Sequence, residues 1–203
     1  MEVLPHRRYV DADNSCLFSS IAYLIDKDNF NTSSSLIYRL IIVDHIRQNK
    51  IDESIFGMSK NEYLEKISES DTWGGAIELK IFSEVFDIQI AVLDVQSGRT
   101  DIFGEIEDFE KRIYLLYNGI HYDPLVMNHQ DNNESDITIF SPEDSEKLIM
   151  FKDYVESVKD KGDYVDISKI NNLKCIKCNN IFTSNEEASI HGINFNHWEF
   201  KNI

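Results

Sequence analysis

The chain has 203 residues and a mass of 23.6 kDa, which suits one good-sized domain with a small appendage and excludes an enzyme of two large domains. Lys and Arg number 20 against 36 Asp and Glu, and the resulting net charge of −16 repels phosphate backbones, so no nucleic-acid partner is expected. With 42% hydrophobic residues, 11% aromatic and three prolines, the chain can build a packed core, while its aliphatic runs are too short to span a bilayer and its N-terminus lacks a signal-peptide core.

In chain order, the polar turn Asp11-Ala12-Asp13-Asn14-Ser15 leads into a mostly buried helix over 16–25, with Cys16 at its start. A second helix is expected over 36–48, apolar nearly all round in its middle and therefore inside. Ser59 can cap a third, short helix carrying Tyr63, Leu64 and Ile67. Gly74-Gly75 interrupts the chain before a helix with Ile77, Ile81 and Val85 on one face and Phe82 beside it. After Asp87 the period becomes two, through Ile88, Ile90 and Val92; Ser97-Gly98 turns the chain, and 113–117 reads as a central strand. Asn118-Gly119 is a hairpin-type turn that places His121 at the start of the returning strand. Residues 128–136 form a polar loop, 137–140 an edge strand, and Ser141-Pro142-Glu143-Asp144 starts a helix with Pro at its first position, extending to residue 159. Residues 160–172 are charged and weakly patterned, which divides the chain into a body, 1–160, and a compact C-terminal unit, 161–203. There is no internal repeat and no low-complexity tract.

Three cysteines cannot all pair in disulfides, and two of them belong to a different pattern. Cys175, Cys178, His191 and His197 follow C-x2-C-x12-H-x5-H, the spacing by which a β-hairpin supplies two thiolates and a following helix two imidazoles to a tetrahedral zinc. Phe182 and Ala188 fall where a ββα finger of this kind places its core. The helix carries Asn185, Glu186, Glu187, Ser189 and Ile190, with no Arg or Lys to reach a base edge or a phosphate, so the finger is expected to be structural or protein-binding. Thiol ligands imply a reducing compartment, and a cytoplasmic location follows.

That leaves Cys16. A helix start offers a positive dipole end that favours thiolate, and free N–H groups there and in the Asp13-Asn14-Ser15 turn can hold an oxyanion. The plain alternative is a buried structural cysteine. Among the six histidines, His121 occupies a rigid place after a tight turn, whereas His6 and His129 lie in polar, mobile-looking stretches and His45 sits within a helix. Asp123, two residues along, shares a strand face with His121 and can accept a ring N–H; its alternative is a solvated strand-end carboxylate. Trp73-Gly74-Gly75 lets backbone pass close to a slender ligand, or else it is a helix entry with a core tryptophan. Glu78 reads as a paired or capping residue and has no chemical role.

Asp13-Asn14-Ser15-Cys16-Leu17-Phe18, Trp73-Gly74-Gly75-Ala76-Ile77-Glu78-Leu79 and Asn118-Gly119-Ile120-His121-Tyr122-Asp123 resemble, in order and separation, the Cys, variable and His loops of the OTU (ovarian tumour) cysteine deubiquitinases. Thr138-Ile139-Phe140-Ser141, the helix after it and the terminal finger resemble the branch that carries a C2H2 zinc finger and works with the valosin-containing-protein segregase. The resemblance implies an α/β, papain-like fold with helices around a central, mostly antiparallel sheet, plus the small finger. It implies that Cys16 attacks the carbonyl at ubiquitin's C-terminal glycine, with His121 as base and then acid, Asp123 orienting the histidine, and Asp13 shaping an oxyanion pocket formed with Asn14, Ser15 and Cys16. Trp73, Gly74, Gly75, Ile120 and Tyr122 would bound a channel for the glycine-glycine tail. Ubiquitin and polyubiquitin are the implied partners of a monomeric enzyme that carries a structural zinc in its finger and needs no cofactor for catalysis. Members of that branch usually begin with a UBX-type domain that docks the segregase, and twelve residues precede Asp13 here. The alternative is a catalytically weak ubiquitin-binding adaptor with a protein-binding finger.

Overall fold

Seen in a computed structural model that describes residues 3–129, 136–164, 173–182, 185–195, 197 and 200–202, the chain forms two compact units, Met1–Tyr164 and Val165–Ile203. The first is organised on a mixed five-stranded sheet built from β1 (Leu4–Arg7), β2 (Gln89–Asp94), β3 (Thr100–Phe103), β4 (Arg112–Tyr117) and β5 (Tyr122–Asn128). Their order is β1-β5-β4-β2-β3, with β2 and β4 parallel and every other pair antiparallel.

Strands β2, β4 and β5 are buried along nearly their whole length, because both faces of the sheet are covered. The period of two sorts their residues. Ile90, Val92, Ile113, Leu115 and Val126 join one core with α1 (Cys16–Asp26), α2 (Ser34–Gln48), α3 (Lys60–Ser68) and α4 (Ala76–Phe86). Ala91, Leu93, Tyr114, Leu116, Leu125 and Met127 join the other with Phe151, Val155 and Val158 of α5 (Ser145–Asp160). The alternation expected after Asp87 is therefore present, with both halves of it buried.

Local chemistry sets the helix boundaries. Ser59 and Glu62 make a reciprocal capping box at the start of α3, and the Asp144 side chain caps α5 by accepting the Lys147 N–H at 3.2 Å. The fifth helix thus begins at Ser145, and Pro142 stands in the turn before it. Helix α2 is not inside all round: Leu36, Ile37 and Leu40 are each about half exposed, while Tyr38, Arg39, Ile42, Val43 and Ile46 are buried. Residues 137–140 give two isolated bridges, Met127 with Ile137 and Arg112 with Phe140, instead of a strand. Strands β1 and β3 were not expected, and His6 lies in β1, an ordered place. Among the described residues no helix is long and apolar enough to cross a membrane.

The second unit contains β6 (Leu173–Cys175), β7 (Ile181–Phe182), α6 (Asn185–Phe195) and β8 (Phe200–Asn202). The hairpin β6–β7 and the helix are the expected ββα pattern; β8 adds a third strand on the far edge of β6. Phe182 lies against the His191 ring, centroids 4.7 Å apart. The Ala188 side chain, and residues 165–172 of the expected linker, lie outside the described residues.

Candidate active site

Cys16 is the first residue of α1, with Ser15 as the N-cap and no acidic side chain in the first turn to offset the dipole. The loop before it is tied in three ways. Asp13 Oδ1 accepts the Ser15 N–H at 2.9 Å, an Asx-turn that shapes the backbone and occupies one of the N–H groups considered for an oxyanion. Asn14 Oδ1 accepts the Trp73 indole N–H at 2.6 Å. The third tie is Arg39, a cation only 1% exposed.

Arg39 Nη2 donates to the carbonyls of Asn14 (3.0 Å), Thr72 (2.7 Å) and Ser70 (3.3 Å) and to Ser15 Oγ (2.9 Å), while Nη1 donates to the Ile67 carbonyl (3.2 Å). Its guanidinium lies 3.9 Å from the Phe18 ring centroid. One buried side chain therefore joins the Cys loop, the end of α3 and the segment leading to Trp73. Sequence reasoning passed over it, although a lone cation inside the run Tyr38-Arg39-Leu40-Ile41-Ile42-Val43 is an available signal.

The two glycines differ. A Cβ on Gly74 would stand 2.7 Å from Leu17 Cδ2 and 3.0 Å from the Phe18 ring, whereas one on Gly75 would meet nothing within 4 Å. Gly74 is needed for close packing onto α1; Gly75 borders open space. Glu78 is buried and binds the Gly75 N–H at 2.7 Å and the Tyr63 hydroxyl, which makes it the cap of α4, as expected.

On the opposite side of the site, Asn118 Oδ1 accepts the N–H groups of Ile120 (3.2 Å) and His121 (2.9 Å), Gly119 takes φ 104°, and the Tyr117 hydroxyl donates to the Gly119 carbonyl. This turn fixes His121 immediately before β5. Ile120 is exposed, and the Tyr122 ring packs on Tyr117 with centroids 4.6 Å apart. His121 Nδ1 lies 3.2 Å from Asp123 Oδ2, and its Nε2 lies 3.3 Å from the Asp11 carbonyl oxygen. Both ring nitrogens face acceptors, so the charged imidazolium is favoured. The hydrogen bond to Asp123 raises the His121 pKa above its usual value against the effect of burial.

Asp123 is fully buried rather than a solvated strand end. Burial alone would lift its pKa, but the His121 hydrogen bond, the Val10 N–H at 3.1 Å and the Arg7 cation hold it below the ordinary carboxylate range. The first two turns of α1 are joined to this strand start: Ser20 Oγ donates to the Tyr122 carbonyl at 3.0 Å, and the Tyr122 backbone hydrogen-bonds to the Cys16 sulfur. Burial nevertheless pushes the Cys16 thiol up, helped by the Asp123 and Asp13 charges, against the hydrogen bonds from Tyr122 and Leu17. The helix start does not by itself yield a ready thiolate. A proton acceptor is needed, and His121 is one residue from the backbone that touches the sulfur.

In the second unit, one ligand atom from each of Cys175, Cys178, His191 and His197 lies within 4.8 Å of all the others. His191 Nε2 is 3.3 Å from both Cys178 Sγ and His197 Nδ1. A tetrahedron of metal–nitrogen bonds near 2.0–2.1 Å has edges of about 3.3–3.4 Å, so this donor set can hold a metal ion.

Comparison with known proteins agrees with this geometry. The family described as OTU-like cysteine protease matches residues 11–126. Ubiquitin thioesterase OTU1 of Xenopus laevis is 35% identical over 199 residues, 97% of this chain and 65% of the relative; the Homo sapiens protein of that name is 34% identical over 206 residues, all of this chain and 59% of the relative. The chain thus spans about three fifths of these relatives' length. A solved OTU domain in complex with ubiquitin superposes with a TM-score of 0.69 at 30% identity, over 79% of this chain and 90% of that one. The fold, the three loops in order and these matches together place the chain in the OTU-like cysteine protease family.

Proposed function

We propose that the protein is a deubiquitinase that hydrolyses isopeptide bonds at the C-terminus of ubiquitin through a thioester on Cys16. The observation that carries this reading is the union of Cys16, at the start of α1, with the Tyr122 backbone and the His121–Asp123 pair at the start of β5. A relative named ubiquitin thioesterase and an OTU domain in complex with ubiquitin support the substrate.

With Nδ1 held by Asp123, Nε2 is the nitrogen that exchanges protons. It takes the Cys16 thiol proton as sulfur attacks the glycine carbonyl, and the oxyanion is met by free N–H groups at the start of α1, where the Ser15 N–H is already engaged by Asp13. The intermediate collapses, the C–N bond breaks, and Nε2 returns its proton to the departing lysine amine. Water then attacks the thioester, giving a proton to Nε2, and the C–S bond breaks to release the ubiquitin carboxyl group and restore the thiol. Asp13 shapes the loop and Asp123 orients the base. Ile120, Tyr122, Trp73 and Gly75 border the path of the glycine-glycine tail.

Treatment with ubiquitin carrying a C-terminal electrophile should give one covalent adduct that Cys16→Ala abolishes. An adduct that survives the substitution, or none at all, refutes the reading; tight ubiquitin binding with no cleavage of any chain type would favour the adaptor.

The ion we assign to the second unit is zinc, held by Cys175, Cys178, His191 and His197 and supplying folding energy to a segment too short to fold unaided. Thiol ligation and unpaired cysteines support a cytoplasmic setting. Partnership with the valosin-containing-protein segregase belongs to the same reading and is supported by relatedness that runs through the finger; co-purification with that segregase tests it.

A further inference from the structure

We propose that Arg7, on edge strand β1, is a positioning residue for the reaction: its guanidinium locks the Asp123 carboxylate in the orientation that aims His121. The inference rests on the assignment of His121 as the proton carrier.

Arg7 Nε and Nη2 reach Asp123 Oδ2 at 2.8 and 2.7 Å, the same oxygen that faces His121 Nδ1. The other oxygen takes the Val10 N–H. Asp123 has no exposure to solvent and the Arg7 side chain 5%, so water cannot replace either partner. Arg7 is itself braced from outside. Its Nη1 meets Asp163 Oδ2 at 2.6 Å just beyond α5, its backbone N–H donates to the Tyr154 hydroxyl of α5 at 3.2 Å, and its guanidinium lies 4.4 Å from the Tyr9 ring centroid. The carboxylate is thus gripped from β1, and its grip is steadied by the α5 side, elements distant in sequence from the hairpin that carries it.

The chemical need is specific. During turnover His121 alternates between neutral and charged, and a buried carboxylate with only an imidazole for company would lose its charged partner each time the ring gave up its proton. A guanidinium stays charged throughout. Asp123 can then remain ionised and still in both halves of the cycle, and the ring keeps its Nδ1 anchor while Nε2 works. The same cation opposes the charging of His121. The groups facing this ring and its carboxylate are Asp123 on β5, Arg7 on β1 with Asp163 behind it, the Asp11 carbonyl at Nε2, and Cys16 at the entry to α1, which interacts with Asp123. Arg7 is the cation among them. It lies before the stretch matched by the family, residues 11–126.

The test uses the full chain with Arg7→Gln and Arg7→Lys. In the free protein, an NMR titration of the His121 ring should show its midpoint rising by about 0.5–1 pH unit in Arg7→Gln, and the acid limb of kcat/KM should move with it. We expect kcat to fall about 10–100-fold with KM within twofold, since Arg7 does not touch substrate. Arg7→Lys keeps the charge but not the fork; its limb should stay in place while kcat falls several-fold. If the glutamine variant is folded and neither the midpoint nor the limb moves, or if the lysine variant turns over like the parent, the positioning role is wrong. Should the glutamine variant not fold, the lysine variant decides. The ring titration needs no ubiquitin, so a failed adduct on Cys16 would sink the proposed activity while leaving the effect of Arg7 on His121 separately readable.

Discussion

Replacing Arg39 with Met removes a single buried cation of similar volume and tests whether the Cys loop is held by it. The side chain makes five hydrogen bonds, from 2.7 to 3.3 Å, to Ile67, Asn14, Ser15, Ser70 and Thr72. Bonds from a charged donor net about 1.5–3 kcal/mol each in favourable cases. Four of these share one nitrogen, and Nε is buried without a partner, so full additivity does not apply. Against them stands the cost of burying a guanidinium with no carboxylate hydrogen-bonded to it, several kcal/mol, which Met relieves; the cation–π contact with Phe18 is worth about 0.5–2 kcal/mol. The balance is a loss of about 2–4 kcal/mol, or a Tm lower by about 4–16 °C for a chain of this size. Calorimetry reads the Tm. Labelling by ubiquitin with a C-terminal electrophile, run at a temperature where the variant is folded, should slow about 10–100-fold as the oxyanion loop loses its set geometry. A variant that melts within about 1 °C of the parent and labels at the parental rate would show that the Asx-turn of Asp13 alone shapes the loop.

Gly74→Ala should cost about 1–3 kcal/mol by forcing a methyl against Leu17 and Phe18, while Gly75→Ala, with open space at its Cβ, should leave the Tm nearly unchanged; paired thermal melts compare them. His121 must be neutral to accept the thiol proton, and its pKa is raised, so the acid limb of kcat/KM in the free enzyme should lie above pH 6.5. Asp123 and Asp136 have depressed pKa values, held down against burial by His121 and Arg7 in one case and by Arg8, Tyr23 and Asn128 in the other. Their contribution is complete above about pH 4, the unfolded carboxylate value, and is lost as pH falls through their folded values. Denaturant midpoints should accordingly fall below about pH 4. Removing metal with a chelator should abolish the folded signal of the C-terminal unit, followed by NMR of α6, and leave the melting of Met1–Tyr164 in place.

What could be read from sequence was local. The Cys16 helix start, the Asn118-Gly119 turn and the His121/Asp123 spacing each lie within a few residues, and short-range periodicity and turn chemistry are enough to find them. The finger ligands were legible because metal geometry imposes a spacing on the chain. Arg7 and Arg39 were not, since their partners lie 116 and 24–33 residues away and no local pattern marks such pairings. Strand β1 is a four-residue edge element with no alternation to announce it. Helix α2 was misread because Leu36, Ile37 and Leu40 supply an apolar composition without burial; hydrophobicity reports what a face can do, and only packing reports what covers it.

Strand β1 also has a consequence for handling the protein. Its four residues pair with β5 from Leu4 opposite Asn128 to Arg7 opposite Leu125, so they seal the outer rim of a sheet whose next strand is rich in apolar side chains. A shortened chain beginning at residue 11, where the family match starts, would retain every motif that identifies it and yet strip the outer side of β5 of its partner, leaving the Pro124 carbonyl and the amide and carbonyl of Val126 open. Such a rim invites self-association between copies, and low solubility in a trimmed fragment would then report a missing strand and not a defective catalyst.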